Sequence, residues 1–284
     1  MSYREALRLL TARLKKVTNQ PRFEAELLLA FVRKISREKL LLDDEKEIPP
    51  EEWKLLNDLC LQREIYKPMA YILQEKEFFG LKFFVNQHTL IPRPETEILV
   101  EEVLKHLQSR SNPQPISILD MGCGSGCIGL SLAHEYTGKA HYFLTDISFP
   151  ALQVAKQNQK RLLPEKKIYF IAMNQLLGFS TTFDVIVSNP PYVTEQEYDR
   201  LQLEIQHFEP KQALVPSKNF FENLFASLNT HLSNKGVFFM ETNPNFIEKH
   251  AKQLTEKGFF VQTIPDYTGQ NHFIKAQWHP FRKL

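Results

Sequence analysis

No stretch of this chain approaches the roughly 18 consecutive apolar residues that a membrane-spanning helix needs, and the N-terminus, MSYREALRLLTARLKK, is charged from Arg4 onward. Neither a signal peptide nor a membrane span is expected. An excess of one charge is also missing: 35 Lys and Arg stand against 33 Asp and Glu, and the resulting +2 demands no polyanionic partner, although local basic faces stay possible. Cysteine is scarce. Cys60, Cys123 and Cys127 are an odd number without a CxxC pair, which points to a reducing cytoplasm. No third or fourth Cys or His lies at ligand spacing near Cys123 and Cys127, so both read as small packing residues and no metal is expected. Internal repeats and low-complexity segments are absent too.

What the chain does have is length and apolar content: 284 residues, 43% of them hydrophobic, enough for two domains. Leu7, Leu10, Leu14 and Val17 recur at helical spacing, as do Phe23, Leu27, Leu28 and Phe31; Trp53, Leu56, Cys60 and Arg63 follow Pro49-Pro50, which can open a helix. Residues 1–76 therefore read as a small helical bundle. It carries 15 Lys and Arg against 13 Asp and Glu, a balanced surface and no basic nucleic-acid arm. Such a bundle either braces its neighbour or recognises a macromolecule. Phe78 to Ile91 is aromatic and β-branched with turn letters at Gly80 and Asn86-Gln87, which predicts a β-hairpin and makes 77–93 a linker. A helix is expected from Pro94, with Glu95 and Glu97 complementing its dipole and Leu99, Val103, Leu104 and Leu107 on one face.

Beyond Ser111-Asn112-Pro113, a turn-like joint, apolar runs alternate with helical stretches, the signature of a parallel sheet in a domain spanning 94–284. Strands are expected at Ile116–Met121, His141–Asp146, Ile168–Met173, Phe183–Ser188, Gly236–Glu241, Phe259–Ile264 and His272–Trp278. Only PDYTGQN joins the last two, so they should form an antiparallel pair at one edge of an otherwise parallel sheet.

Two strand ends carry chemistry. The first runs through Leu119-Asp120-Met121-Gly122-Cys123-Gly124-Ser125-Gly126 into CIGLSLAHEY, a glycine loop leading into a helix, and Asp146 ends the next strand where it can accept from both hydroxyls of a ribose. Gly124, Gly126 and Gly129 satisfy GxGxxG, which keeps an NAD-dependent enzyme among the readings. The fourth strand stops at Asn189-Pro190-Pro191-Tyr192. The two prolines fix their own φ and hold Asn189 and Pro190 extended, so the Asn189 side-chain carbonyl and the Pro190 backbone carbonyl form a stiff pair of acceptors suited to a planar NH2 group. Tyr192 supplies a wall on which a planar amide, a base or a cation can rest. Such a ledge is useless for hydride transfer. It suits S-adenosylmethionine, which shares the adenosine handle and brings an activated methyl: two accepted hydrogen bonds would aim the nitrogen lone pair at the methyl without a strong general base. Adenine N6, cytosine N4 and a glutamine amide all fit.

The stretches FDVIVSNPPYV, LDMGCGSG, LIPRPETEILVE, HFEP at 207–210 and DYTG at 266–269 occur here in an order that resembles the release factor glutamine N5-methyltransferases, the PrmC/HemK family, from about Tyr71 to Phe273. LIPRPETE in front of NPPY is far more specific than NPPY alone, which also marks amino-methylating DNA enzymes. The resemblance implies an α/β fold: a Rossmann-like, seven-stranded, mostly parallel sheet of class I methyltransferase type with its last strand antiparallel, preceded by the helical bundle as substrate-recognition domain. It implies S-adenosyl-L-methionine as cofactor, held by Gly122, Cys123, Gly124, Ser125, Gly126, Asp146, Asn174 and Asn189. Class 1 peptide chain release factors are the implied protein substrate, their Gly-Gly-Gln glutamine held by Asn189, Pro190, Pro191 and Tyr192, with Asn189, Pro190 and Tyr192 carrying catalysis. A cytoplasmic monomer without stably bound nucleic acid is expected. Some positions depart from the family pattern: Asn174 stands in place of a frequent aromatic, Gln74 of a glycine and Gln270 of an arginine, and Lys211 to Ser217 lacks the usual glycines. An amino methyltransferase acting on nucleic acid, and a binding module without turnover, are the competing readings.

Overall fold

Ser2 begins the first helix with a reciprocal cap: its hydroxyl accepts from the Glu5 amide at 3.2 Å while the Glu5 carboxylate accepts from the Ser2 amide at 2.9 Å. The helix, α1 (Tyr3–Leu14), is followed by α2 (Pro21–Arg33), α3 (Arg37–Leu42), α4 (Pro50–Glu64) and α5 (Met69–Leu73). The computed structural model of the protein describes residues 1–42, 45–110 and 114–278. The expected joint at Ser111-Asn112-Pro113 lies outside the described residues. By its internal contacts the chain divides into two units, one of Met1–Glu75 with Leu201–Phe208, the other of Lys76–Arg200 with Glu209–Leu284.

The first unit holds five helices of the N-terminal stretch and, in addition, Leu201–Phe208, which from sequence was expected in the domain of 94–284. Leu7, Leu10 and Leu14 of α1 meet Leu28, Leu29 and Val32 of α2 and Leu56 and Cys60 of α4 in one core. The α2 face differs from the one expected: Ala25, Leu28, Leu29 and Val32 are buried while Phe23 and Phe31 are 39% and 45% exposed. Nearly every letter of FEAELLLAFV is apolar or small, so two helical phases satisfy the pattern, and the guanidinium of Arg37 covers the Phe23 ring at 4.9 Å. Arg63, in line with Leu56 and Cys60, is buried at 4% exposure and ion-paired to Glu24 at 2.7 Å and to Glu204 at 2.9 Å.

The second unit opens with a two-stranded hairpin, β1 (Glu75–Phe78) and β2 (Leu81–Phe84), turning at Phe79-Gly80. It is shorter than the sequence suggests, because Val85 to Ile91 pairs with neither strand. A 3-10 turn, Pro94–Thr96, leads into α6 (Glu97–Gln108), and the remaining elements are β3 (Ile116–Met121), α7 (Cys127–Glu135), β4 (Ala140–Asp146), α8 (Phe149–Leu162), β5 (Ile168–Ala172), β6 (Phe183–Ser188), α9 (Glu195–Tyr198), α10 (Leu203–Phe208), α11 (Phe220–His231), β7 (Leu232–Glu241), α12 (Ile247–Glu256), β8 (Phe259–Pro265) and β9 (Asn271–Trp278). Of these, α10 falls within the first unit.

The seven strands run in the order β5-β4-β3-β6-β7-β9-β8. β9 lies antiparallel to both β7 and β8, so the expected antiparallel pair exists with its last strand inserted one place inward. Burial follows the period-2 alternation of a sheet covered on both faces. Ile118, Val185, Val187 and Phe239 join a core under α6, α7 and α8, while Leu119, Ile186, Phe238 and Met240 join a second core under α11 and α12.

Gln74 caps α5 with φ +54° and ψ +29°, the left-handed conformation in which its amide reaches the Ala70 carbonyl. Glycine adopts that conformation freely, whereas a residue with a Cβ is strained there by roughly 1–2 kcal/mol. Its side chain is exposed. Gln74→Gly should therefore raise unfolding free energy by about 0.5–1 kcal/mol after the larger backbone entropy of unfolded glycine is subtracted. Chemical denaturation of the two proteins checks this, and a less stable glycine variant would contradict it.

Candidate functional site

A solvent-open cleft of about 1020 Å³ lies at the carboxyl ends of the parallel strands, where the chain order reverses between β3 and β6. Gly122, Cys123, Gly124, Ser125, Asp146, Asn174, Asn189, Pro190 and Pro191 all line it. Two of the expected site residues do not. Gly126 sits at the start of α7 with φ +82°, where a Cβ would press on Leu130 and Ala155, and Tyr192 lines an adjoining smaller hollow with Asn189, Pro190, Arg93 and Leu214.

The glycine loop is held almost wholly by its own domain. The amides of Gly122 and Cys123 both donate to the Thr145 carbonyl at 2.8 Å, that of Gly126 to Cys123 at 2.7 Å, and that of Gly124 to Asp146 Oδ2 at 2.9 Å. At the start of α7 the Gly129 amide donates to Asp120 Oδ2 at 2.8 Å. A Cβ at Gly129 would lie 2.9 Å from that same oxygen, so the third glycine of GxGxxG serves close packing of helix on strand. A pyrophosphate needs free amides and tolerates no buried carboxylates beside them. Here the amides of Gly124 and Gly129 are committed to carboxylates and are not available to a pyrophosphate, which favours a methyl donor over a dinucleotide.

Asp120 is fully buried, with Oδ2 bonded to Gly129 and Oδ1 unpartnered. Burial pushes its carboxyl up to about 7, the Gly129 amide opposes this, and the neighbouring Asp146 adds to it. Asp146 accepts from Gly124 through Oδ2 and from Ser148 at 2.8 Å through Oδ1; burial raises its pKa and those amides pull it down. Each oxygen keeps lone-pair capacity toward the cleft for ribose hydroxyls. Above the loop, a Cβ at Gly122 or Gly124 would meet nothing within 4 Å, so there is room for a ligand to lie on the backbone. The residues present thus fit S-adenosylmethionine.

Around the ledge, Ser188 donates its hydroxyl to the Met121 carbonyl at 2.7 Å and fastens the end of β6 to the end of β3. Asn189 Nδ2 donates to Thr96 Oγ1 at 3.0 Å, Thr96 Oγ1 to Glu241 Oε2 at 2.7 Å, and the Tyr192 hydroxyl to Glu241 Oε1 at 2.7 Å. Burial raises the Glu241 pKa, and burial together with that carboxylate raises the Tyr192 phenol, which stays protonated as a donor. On the cleft's other side Glu209, 5% exposed, accepts from Arg93 Nη2 at 2.6 Å and from the Ile91 amide at 3.0 Å. Asn158, buried on α8, accepts from the Phe84 amide at 2.7 Å and donates to the carbonyls of Phe84 and Ser125 at 2.9 Å, tying hairpin to glycine loop. From sequence, Thr96, Glu241, Glu209 and Asn158 carried no role, although Thr96 lies in LIPRPETE and Glu209 in HFEP, two of the stretches that carried the resemblance. For Glu241 the local signal was an acid ending an apolar strand, FFME.

Two family descriptions match the chain: "Methyltransferase small domain" over residues 95–259 and "PrmC N-terminal domain" over residues 5–73. A release factor glutamine methyltransferase of Chlorobaculum tepidum is 34% identical over 89% of this chain and 89% of its own. One from Flavobacterium psychrophilum is 36% identical over 89% and 90%, and one from Buchnera aphidicola 35% over 93% and 96%. Among solved structures, a methyltransferase from Pyrococcus furiosus shares the fold with TM-score 0.51 at 18% identity, over 72% of this chain and 92% of that one.

The raised Asp120 pKa makes stability pH-dependent with a definite sign. An acid whose folded pKa of about 7 exceeds the ordinary 3.8 is protonated more readily in the folded state, so its contribution is fully present below pH 3.8 and is lost as pH rises through 7. The span is on the order of 4 kcal/mol. Asp120→Asn keeps the acceptor for Gly129 and removes the titration. Its advantage over the wild type should grow from pH 5 to pH 8 in thermal unfolding, and parallel curves would contradict the assignment.

Proposed function

The chain belongs to the release factor glutamine methyltransferase family, and from that premise we propose that it transfers the methyl group of S-adenosylmethionine to the side-chain amide nitrogen of the Gly-Gly-Gln glutamine in class 1 peptide chain release factors. The observation that carries this reading is Asn189 at the cleft with its Nδ2 committed to Thr96, leaving Oδ1 as the acceptor for a planar NH2. Gly122 to Ser125 and Asp146 would hold the cofactor, with Asn174 at the rim, while Gly126 turns the loop into α7; when bound, the cofactor supplies an activated sulfonium methyl. The protein's part is positioning. Asn189 Oδ1 and the Pro190 carbonyl accept the two amide protons, Tyr192 and the prolines wall the amide plane, and exclusion of water keeps these bonds strong. After transfer the nitrogen sheds one proton to solvent.

The helical unit is assigned to recognition of the release factor, a reading supported by its match over residues 5–73 and by the exposed Leu61 on α4 and Ile65 just after it. Among the described residues no helix is long and apolar enough to cross a membrane. Action in the cytoplasm as a monomer, with no nucleic acid stably bound, is part of the proposal.

Mass spectrometry of the Gly-Gly-Gln peptide after incubation of a release factor with the protein and S-adenosylmethionine tests the reading. One added methyl on the glutamine is expected; an unmodified glutamine beside methylated polynucleotide would overturn it. Asn189→Ala should lower the single-turnover rate about 10²-fold or more with folding intact. Asp146→Ala should weaken cofactor binding by roughly 1.5–3 kcal/mol in calorimetry, the increment of a charge-assisted hydrogen bond; an unchanged affinity would place the ribose elsewhere.

A further inference from the structure

The direction in which Asn189 points its amide is set by hydrogen-bond counting. A primary amide presents a donor on one side and an acceptor on the other, and a flip exchanges them with almost no change in shape. The proposed reaction needs the acceptor in the cleft. The ledge itself does not enforce this, because NH2 and oxygen fill the same space.

Thr96 decides it. Its hydroxyl has one proton, and its Oγ1 stands 2.7 Å from Glu241 Oε2 and 3.0 Å from Asn189 Nδ2. Burial raises the Glu241 pKa, but hydroxyls against both its oxygens and the nearby His272 favour the ionised form, and an ionised carboxylate can only accept; the single proton of Thr96 then goes to Glu241, and the side of Asn189 facing Thr96 is the donor. Glu241 has no other way to be satisfied: its second oxygen receives the Tyr192 hydroxyl at 2.7 Å, so both oxygens face hydroxyl donors in a fully buried setting. The strands support this. β6 and β7 pair in parallel with Ser188 against Met240, which puts Asn189 and Glu241 next in line on adjacent strand ends, and Thr96, 2% exposed at the close of the Pro94–Thr96 turn, bridges them.

We propose that Thr96 and Glu241 are positioning residues that fix the polarity of Asn189, holding its carbonyl toward the substrate amide through a one-way chain of donors ending on the buried carboxylate. This rests on the methyl-transfer reading for what the polarity serves, and on the hydrogen-bond geometry alone for the fixing itself. The chain acts on the rate of transfer and not on capture of the cofactor.

Four variants and two independent readouts test it. Thr96→Val keeps the shape and loses the hydroxyl, Thr96→Ser keeps the hydroxyl, and Glu241→Gln, made alone and in the Thr96→Val background, asks whether the two act through one chain. For methylation of a release factor, Thr96→Val should lower kcat about 10- to 100-fold while the dissociation constant for S-adenosylmethionine moves less than about threefold, and Thr96→Ser should stay within about threefold of wild type. The double variant should be no slower than the slower single one. Equal kcat in Thr96→Val and wild type, failure of serine to rescue, or multiplicative losses would overturn the proposal. The second readout needs no substrate: solvent exchange of the Asn189 side-chain amide protons by NMR, assigned with Asn189→Asp. Protection in wild type and Thr96→Ser and its loss in Thr96→Val are expected; protection unchanged in Thr96→Val would sink the inference. A wild type that leaves the release factor unmodified yet shows the expected exchange pattern would mean that the methyl-transfer reading has failed and the fixing of Asn189 has not.

Discussion

Everything that could act chemically in this domain hangs on the parallel pairing of β3 with β6, Ile118 against Val185, Leu119 against Ile186 and Asp120 against Val187. From β3 the chain builds outward to β4 and β5 on one side, and from β6 it builds to β7 on the other. The connections leaving these two neighbouring strands therefore diverge, and a crevice opens at their carboxyl ends without any special residue to make it. Glycine loop and ledge leave from strands that lie side by side, and the bond from Ser188 Oγ to the Met121 carbonyl fastens them where they part. A register slip of one residue would turn Val185 and Val187 to the opposite core and move Asn189 off the cleft with them.

The crevice has one acid in its lining, Asp146, and two more, Asp120 and Glu241, buried behind it. Asp120, Asp146 and Glu241 each end or nearly end a strand, each is raised in pKa by burial, and two of the three hold loop amides. That distribution separates this glycine loop from a pyrophosphate cradle with similar letters. The same backbone turn serves both, but an amide committed to an internal carboxylate cannot meet a phosphate, and a carboxylate at that depth repels one. A sulfonium finds the opposite potential. The discriminating features are hydrogen-bond partners rather than glycines, which explains how GxGxxG fits both uses.

Glycine loop, Asp146 and Asn189-Pro190-Pro191 were legible in the sequence because each is a contiguous stretch at a strand end, and strand ends show where alternation stops. Their supports were not. Thr96 reads as one more letter of a helix start and Glu241 as the last residue of an apolar run; their meeting joins positions 145 residues apart and follows from sheet order, which letters do not encode. Glu209 reaches Ile91 across 118 residues and Asn158 reaches Phe84 across 74, for the same reason. The place of β9 was ambiguous in kind. Its letters demand an antiparallel partner, and both β7 and β8 satisfy that demand. In the bundle, Phe23 and Phe31 misled because a segment that is apolar nearly all round fits two helical phases, and the covered face went to the smaller side chains that let α1 and α2 approach.

A buried carboxylate is a weak way to stabilise a fold. Removing Glu241 from water costs several kcal/mol, and two accepted hydrogen bonds offset only part of it; an apolar side chain of similar volume, paired across the sheet with Phe273, would serve the core at least as well, provided Thr96 and Tyr192 lost their hydroxyls with it. Phenylalanine and valine would fill those places and close the group without an unpaired donor. What such a core would lack is any preference for one face of the Asn189 amide over the other. The two orientations differ by nothing in volume, so only an acceptor of fixed sign can separate them, and a carboxylate reached through a hydroxyl is the simplest buried group whose sign cannot be reversed by rotating a bond. A stable sheet needs no Glu241; an asparagine with one orientation does.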